Sequence, residues 1–265
     1  MIIVIPMAGE GQRFRDRGYT QHKPTIMVTS RKRLKKIPMI IAAIDDVIST
    51  SQSKSVLIID RDFHKKDGVQ NLIQKYFDNV KFITLSKVTD GQARTCLKIE
   101  DNINNKEEVL ISACDNGMDF NLDHFNNLKK DNDCIIFTFR NNPCVENNPN
   151  AYGWLYTTDM GDVIDVSIKK SISSNPMEDH AITGTFWFRS AELFIKSSQM
   201  MIEAKDKVNN EYYIDQAIKY CIKMKLRVKV FEVDRYICWG TPDDYECYEN
   251  TISYWRDFLS KELIR

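Results

Sequence analysis

The chain predicts an α/β fold: a mostly parallel central sheet with flanking helices, and a smaller β-rich part toward the carboxyl end. Two observations predict it. Through the first half, short β-branched runs alternate with segments of helical periodicity, which implies right-handed βαβ crossovers. In the second half the texture changes to closely spaced strands around a tight turn, followed by helical stretches. At 265 residues the sequence fits a single domain with a substantial core, made of a half at about 1–140 and a half at about 141–265.

Taken in order, Ile2–Ile5 is wholly apolar and reads as a buried strand. Ser55–Ile59, Val80–Thr84, Val109–Ser112 and Cys134–Phe139 repeat its β-rich character. Between them, Pro38–Ile48, Val69–Phe77, Ala93–Ile103 and Leu122–Lys130 have helical character. Ligands of such folds sit at the carboxyl ends of the strands, which is where Pro6–Arg13 and Asp115 fall. Trp154–Thr158, Val163–Ile168 and Thr185–Arg189 read as later strands, the first two joined by the turn Asp159-Met160-Gly161-Asp162. Ala191–Glu203 and Tyr212–Lys223 read as helices. Finally Tyr245, Tyr248, Ile252, Trp255 and Leu259 recur at three- and four-residue spacing, a stripe expected to dock a closing helix on the core.

The most informative segment follows the first strand. Pro6-Met7-Ala8-Gly9-Glu10-Gly11 turns and then reaches Arg13, and His22-Lys23-Pro24 adds a second cation ten residues on. Glycines here let backbone N–H groups approach an anion, and Arg13 and Lys23 add charge to phosphate oxygens. A dinucleotide fingerprint needs a third glycine where Phe14 stands, and a P-loop needs Gly-Lys-Ser/Thr, which is missing. The turn therefore reads as a nucleoside triphosphate cradle.

Composition narrows the classes. Lys+Arg and Asp+Glu both count 37, which argues against bulk nucleic-acid binding. The seven cysteines form no CxxC pair, so neither a disulfide framework nor a zinc ribbon is expected, and a reducing cytoplasm is the simplest compartment. The first strand leaves no room for a signal peptide, and no apolar run approaches the roughly 20 residues that span a bilayer. The basic run Arg31–Lys36 reads as a solvated loop. The four histidines show no metal-ligand spacing.

Asp115 follows the apolar run Val109–Cys114 and should emerge at a strand end, where a carboxylate can hold Mg²⁺ between phosphate oxygens. The alternative is a turn or cap, since Asp115-Asn116-Gly117 is also turn chemistry. Gly91 and Gln92 lie in a turn just before a helix.

The pattern A-G-x-G-x-R-F followed by K-P resembles the signature of the sugar-1-phosphate nucleotidyltransferase superfamily. The form IPMAGxGxRF…GYT…KP looks most like its capsule and lipopolysaccharide gene-cluster subgroup. YGWLYTTDMGDVIDVSIKK, ITGTFWFRS, NNEYYIDQAI and YICWGTPDDY extend the likeness over nearly the whole chain. The resemblance implies a GT-A- or Rossmann-like nucleotidyltransferase fold, with nucleotide bound by Pro6, Met7, Ala8, Gly9, Gly11, Gly91 and Gln92. It implies catalytic roles for Arg13 and Lys23, Mg²⁺ on Asp115, and an acceptor held by Gly153, Lys169, Gly184 and Glu211.

The implied partners are an NTP, CTP or another, and a phosphorylated small acceptor, with no nucleic acid and no membrane; a homo-oligomer stays open. Three departures stand out. Pro6 replaces the usual leucine and offers the base a carbonyl but no N–H. Ile168 replaces a frequent glutamate before Lys169, and neighbouring Lys170 leaves that register open by one residue. Cys238 stands where many relatives carry a second metal aspartate, leaving Asp234, Asp119 and Asp243 as unranked substitutes. Two rival readings remain. A GT-A glycosyltransferase normally uses Asp-x-Asp, which Asp115-Asn116-Gly117 lacks. A silent nucleotide-binding module is suggested by Ile168 and Cys238.

Overall fold

A computed structural model describes residues 1–262. Its strands are β1 (Ile2–Pro6), β2 (Met27–Ser30), β3 (Lys35–Pro38), β4 (Val56–Arg61), β5 (Val80–Leu85), β6 (Val109–Ile111) and β7 (Asn116–Asp119), then β8 (Cys134–Phe139), β9 (Gly153–Thr157), β10 (Val163–Ile168), β11 (His180–Phe188), β12 (Val228–Glu232) and β13 (Arg235–Cys238). β5, β4, β1 and β6 lie side by side and parallel. β11 runs antiparallel between β6 and β8, and β12 extends the sheet parallel to β8. The α/β architecture with a largely parallel sheet is as the sequence predicts.

The apolar runs are explained by burial on both sheet faces. Ile3 and Ile5 enter one core with Met39, Ile40, Phe125 and Phe137, while Val4 enters the other with Val109, Ile111, Phe186 and Phe194. Strands covered on both faces need no polar alternation.

β11 is where the two halves join. Its Phe186–Phe188 end pairs with β6, its His180–Ala181 end pairs with β9, and the register against β8 breaks between Ile182 and Phe186. Gly184 sits in that break at φ +86°, a backbone angle that favours glycine. The bulge hands the strand from one neighbour to the next and opens a space at the end of β6.

The structure corrects several expectations. Arg31–Lys36 is largely solvent-exposed, as expected, but is the turn of a β2–β3 hairpin and the start of β3 rather than a free loop. Most of its charges are paired: Arg33 Nε lies 2.5 Å from Asp45, Arg31 2.9 Å from Asp119 and 3.2 Å from Asp46, and Lys36 3.1 Å from Glu249. The acids come from distant segments, so the run looks unpaired when read locally. Asn116–Asp119 is a strand rather than a turn, because β13 pairs with it. β12, unforeseen, forms beside β8.

The closing helix Pro242–Glu262 forms, and its first turns dock: Tyr245 and Tyr248 hydroxyls donate to the carbonyls of Met27 and Thr29. The rest of the stripe does not, since Trp255 is 54% and Leu259 55% exposed. The helix simply outruns the hairpin it lies on. Among the described residues no helix is long and apolar enough to cross a membrane.

Candidate active site

The loop after β1 is shaped around Lys23. Gly11 caps the short helix Gln12–Asp16 at φ +65°, and a Cβ there would stand 3.1 Å from Lys23 Cβ. Pro24 stiffens the one-turn helix Lys23–Thr25, and Lys23 Nζ lies 5.3 Å from the centre of the buried Phe14 ring. From there Nζ reaches Asp115 Oδ2 at 2.5 Å and the Gly240 carbonyl at 2.8 Å. Burial works against the ammonium, but Asp115 together with Cys114 and Cys238 outweighs it and Lys23 stays above the usual lysine range. One side chain thus ties the glycine loop, the end of β6 and the segment after β13.

In front of this junction lies a cavity of 680 Å³. Pro6, Met7, Ala8, Gly9 and Gly11 form one wall, and Gly91, Gln92 and Glu211 face them. A Cβ added at Gly9 would meet nothing within 4 Å, so its bare backbone looks into open space. Gly91 is different. At φ +127° an added Cβ would fall 2.4 Å from the Tyr212 backbone nitrogen, and that segment is tied on both sides by Tyr212 N to Asp90 O and Ala93 N to Tyr212 O. Gly91 is therefore required for packing as well as lining the cavity.

A second cavity, of 250 Å³, adjoins the first through Gln92, Ala113 and Asp115, which line both. Arg13, Gly153, Lys169 and Gly184 line this one, whereas Glu211 lies on the first. Arg13 is exposed and makes no ion pair among the described residues. Lys169 takes a left-handed backbone at φ +57°, and its Nζ donates to the Ala151 carbonyl. Burial lowers its pKa, with Asp215 opposing. Lys170 is exposed and outside the lining, whereas Lys169 is part of it.

Two lining residues escaped sequence reasoning. Asn116 donates from Nδ2 to the Thr183 carbonyl at 2.6 Å, while its buried Oδ1 has no partner. Asp215 faces the cavity from the first turn of helix Ile214–Lys223, and burial pushes its carboxyl up to about 6 against the pull of Lys169. Its position within NNEYYIDQAI, four residues after Glu211, was the available signal. Ile168 is buried.

The metal question is narrowed by the same geometry. Cys238 lies opposite Asn116 on the β7–β13 ladder, with Sγ 3.3 Å from Asp244 Oδ2, and burial followed by Asp244 pushes the thiol up to about 12. A neutral thiol is a poor ligand for a hard cation. Asp119 is held by Arg31 and Asp243 by Arg17, and Asp234 is exposed and outside both linings. No group of three His, Cys, Asp or Glu side chains among the described residues suits a metal. Asp115 lies on both linings, and a single carboxylate fits a Mg²⁺ ion whose other ligands are phosphate and water.

Residues 2–258 match the nucleotidyl transferase family. The chain belongs to that family. It is a nucleotidyltransferase, and its neighbours in shape share the fold. A nucleoside-diphosphate-sugar pyrophosphorylase from Vibrio cholerae RC9 superposes with a TM-score of 0.75 at 19% identity, covering 94% of this chain and 99% of that one. A UDP-glucose pyrophosphorylase complexed with UDP-glucose gives 0.70 at 17%, covering 97% and 98%. An inositol-1-phosphate CTP transferase from T. maritima gives 0.66 at 11%, covering 94% and 93%. At these identities the likeness speaks to the fold, shared over almost the full length of each chain. No curated protein sequence matches.

Proposed function

We propose that this nucleotidyltransferase moves a nucleoside monophosphate from an NTP to a phosphorylated small acceptor, a sugar phosphate or similar, and releases pyrophosphate. The observation that carries the reading is the seam. A cavity behind a glycine loop and a cavity ending on Lys169 share Asp115, beside Lys23.

An acceptor phosphate is already anionic and needs no general base. Its oxygen attacks the α-phosphorus, the bond to the bridging β-phosphate oxygen breaks, and pyrophosphate leaves with that electron pair. The chain's work is in-line positioning and charge neutralisation. We assign Lys23 to the α-phosphate, Lys169 to the acceptor phosphate, and Arg13, expected on the β- and γ-phosphates but lining the second cavity rather than the first, to phosphate charge on that side of the seam. Asp115 would hold Mg²⁺, which supplies Lewis-acid neutralisation of the phosphate oxygens when bound.

Pro6, Gly91 and Gln92 are assigned to the base, with Met7, Ala8, Gly9 and Gly11 along the nucleotide. Gly153 and Gly184 are assigned to the acceptor side; Glu211, expected there, lines the first cavity, and Arg13, Gln92 and Asn116 line the second, so the halves at about 1–140 and 141–265 each contribute to both cavities. The pattern IPMAGxGxRF…GYT…KP supports a role in capsule or surface polysaccharide synthesis, and seven free cysteines support a cytoplasmic setting.

The test is a matrix of NTPs against phosphorylated acceptors with Mg²⁺. Pyrophosphate should appear only when both substrates are present. Release of a nucleoside diphosphate from a nucleotide sugar would replace this reading with a glycosyltransferase.

A further inference from the structure

The second cavity presents hydrogen-bond acceptors that lack donors. Asn116 is 3% exposed, and its amide cannot be turned round, because Nδ2 is committed to the Thr183 carbonyl. Its Oδ1 is thereby left buried behind the cavity wall with no protein donor. Asp215 likewise makes no hydrogen bond or ion pair among the described residues. The fold makes room for that carboxylate: a Cβ on Gly153 would stand 3.0 Å from Asp215 Cγ. A carboxylate admitted at the expense of a side chain, yet given no partner, points to a ligand.

Charge decides what kind of ligand. The cation that Asp215 feels is Lys169, whose Nζ is turned to the Ala151 carbonyl. On the reading above, on which this inference rests, Lys169 is recruited by the acceptor phosphate. Asp215 then loses its counter-charge in a half-buried position, a costly state for an ionised group. Hydroxyl groups on the acceptor would satisfy the hydrogen bonds and leave that charge. An ammonium group satisfies both, and the aromatic rings of Tyr152, Tyr213 and Tyr236 in the wall favour a cation further.

We propose that the acceptor is a small zwitterion, a phosphate monoester bearing a protonated amine, whose amine is bound by Asp215 while its phosphate meets Lys169. The cavity is then a charge-matched slot, negative at Asp215 and positive at Lys169. Asp215 acts as a specificity-determining residue and takes no part in moving the nucleotidyl group.

The test compares 2-aminoethyl phosphate with its isostere 2-hydroxyethyl phosphate and with glucose 1-phosphate, using the full chain, Mg²⁺ and a mixture of NTPs, with pyrophosphate release as the readout. The wild-type enzyme should use the amine with a kcat/KM at least about tenfold above either hydroxyl acceptor, since tenfold needs only about 1.4 kcal/mol of discrimination. In Asp215→Asn, which keeps the shape, that ratio should fall toward one while the KM for NTP stays unchanged. Equal or better use of the hydroxyl acceptors by the wild type would overturn the zwitterion assignment and leave the transferase reading intact. An undiminished amine preference in folded Asp215→Asn would remove Asp215 from the slot. Pyrophosphate from none of these acceptors would count against both readings.

Discussion

The two cavities that meet at Asp115 are built in opposite ways. The first takes one wall from a continuous stretch, Pro6 to Gly11, with Lys23 twelve residues on and shorter pieces from 88–95 and 113–115. The second is assembled from Arg13, Asn116, Gly153, Lys169, Gly184 and Asp215, drawn from six different segments. The first has its cation already paired, Lys23 on Asp115, whereas the second keeps an unpartnered acid and an unpartnered amide oxygen. A local cradle suits a triphosphate common to many enzymes; a scattered pocket suits an acceptor that changes from one enzyme to the next.

The sharpest way to break this comparison is Arg13→Ala. Arg13 belongs to the glycine loop by sequence yet lines the second cavity, so it should matter to the chemistry and not to the fold. Removing an oriented charge at developing phosphate charge lowers the rate by about 10²–10³-fold. Stability should be unchanged, since the side chain makes no ion pair among the described residues. Steady-state kinetics with a thermal melt checks both; near-normal turnover in a folded variant would take Arg13 out of the site.

Asp215→Asn sharpens the contrast from the stability side. The folded carboxyl titrates at about 6 against an ordinary 3.8, so the native state holds its proton more tightly than the unfolded chain does. Ionisation therefore destabilises the fold increasingly as pH rises from about 4 to 6. At pH 7 the asparagine variant should be more stable, by at most about 3 kcal/mol at 1.36 kcal/mol per pH unit, and below pH 4 the gain should vanish. Urea denaturation at the two pH values measures it. A stability loss at pH 7 would mean that the carboxylate is a structural partner of Lys169. A gain joined to loss of acceptor selectivity is the signature of a residue kept for binding at the expense of stability.

The contrast also explains what was legible in the sequence. The β1 strand, its glycine turn and Lys23 could be read because their residues are neighbours in the chain and the backbone chemistry is local. Helix Ala191–Glu203 and strand Val163–Ile168 were equally plain from periodicity. Asn116 was hidden, because Asp115-Asn116-Gly117 reads as a turn until β13 arrives from more than a hundred residues away to pair with it. The paired charges of Arg31–Lys36 were hidden for the same reason, their partners lying on the helix Met39–Val47 and on the closing helix. The exposed end of the aromatic stripe shows the converse limit: periodicity shows that a helix has an apolar face, and not how far its support extends.

A smaller effect separates the seam from its surroundings. Cys238 accepts from Gly240 N at 3.4 Å and donates to Asp244, contacts that a hydroxyl can make as well. Cys238→Ser should therefore leave Mg²⁺-dependent turnover within about twofold, because a hard cation selects oxygen ligands other than a neutral thiol. Titrating Mg²⁺ in both proteins checks this, and collapse of activity in the serine variant would give the thiol a part in the reaction.

The central claim is that a bond forms between a nucleotide α-phosphate and an acceptor phosphate across Asp115. Phosphorus NMR of a reaction containing an NTP, Mg²⁺ and a phosphorylated acceptor observes that bond directly. The account predicts two coupled diphosphate resonances from the product, growing with the pyrophosphate signal and absent in Asp115→Asn. Pyrophosphate appearing with only free nucleoside monophosphate, and no phosphate–phosphate coupling to the acceptor, would contradict it.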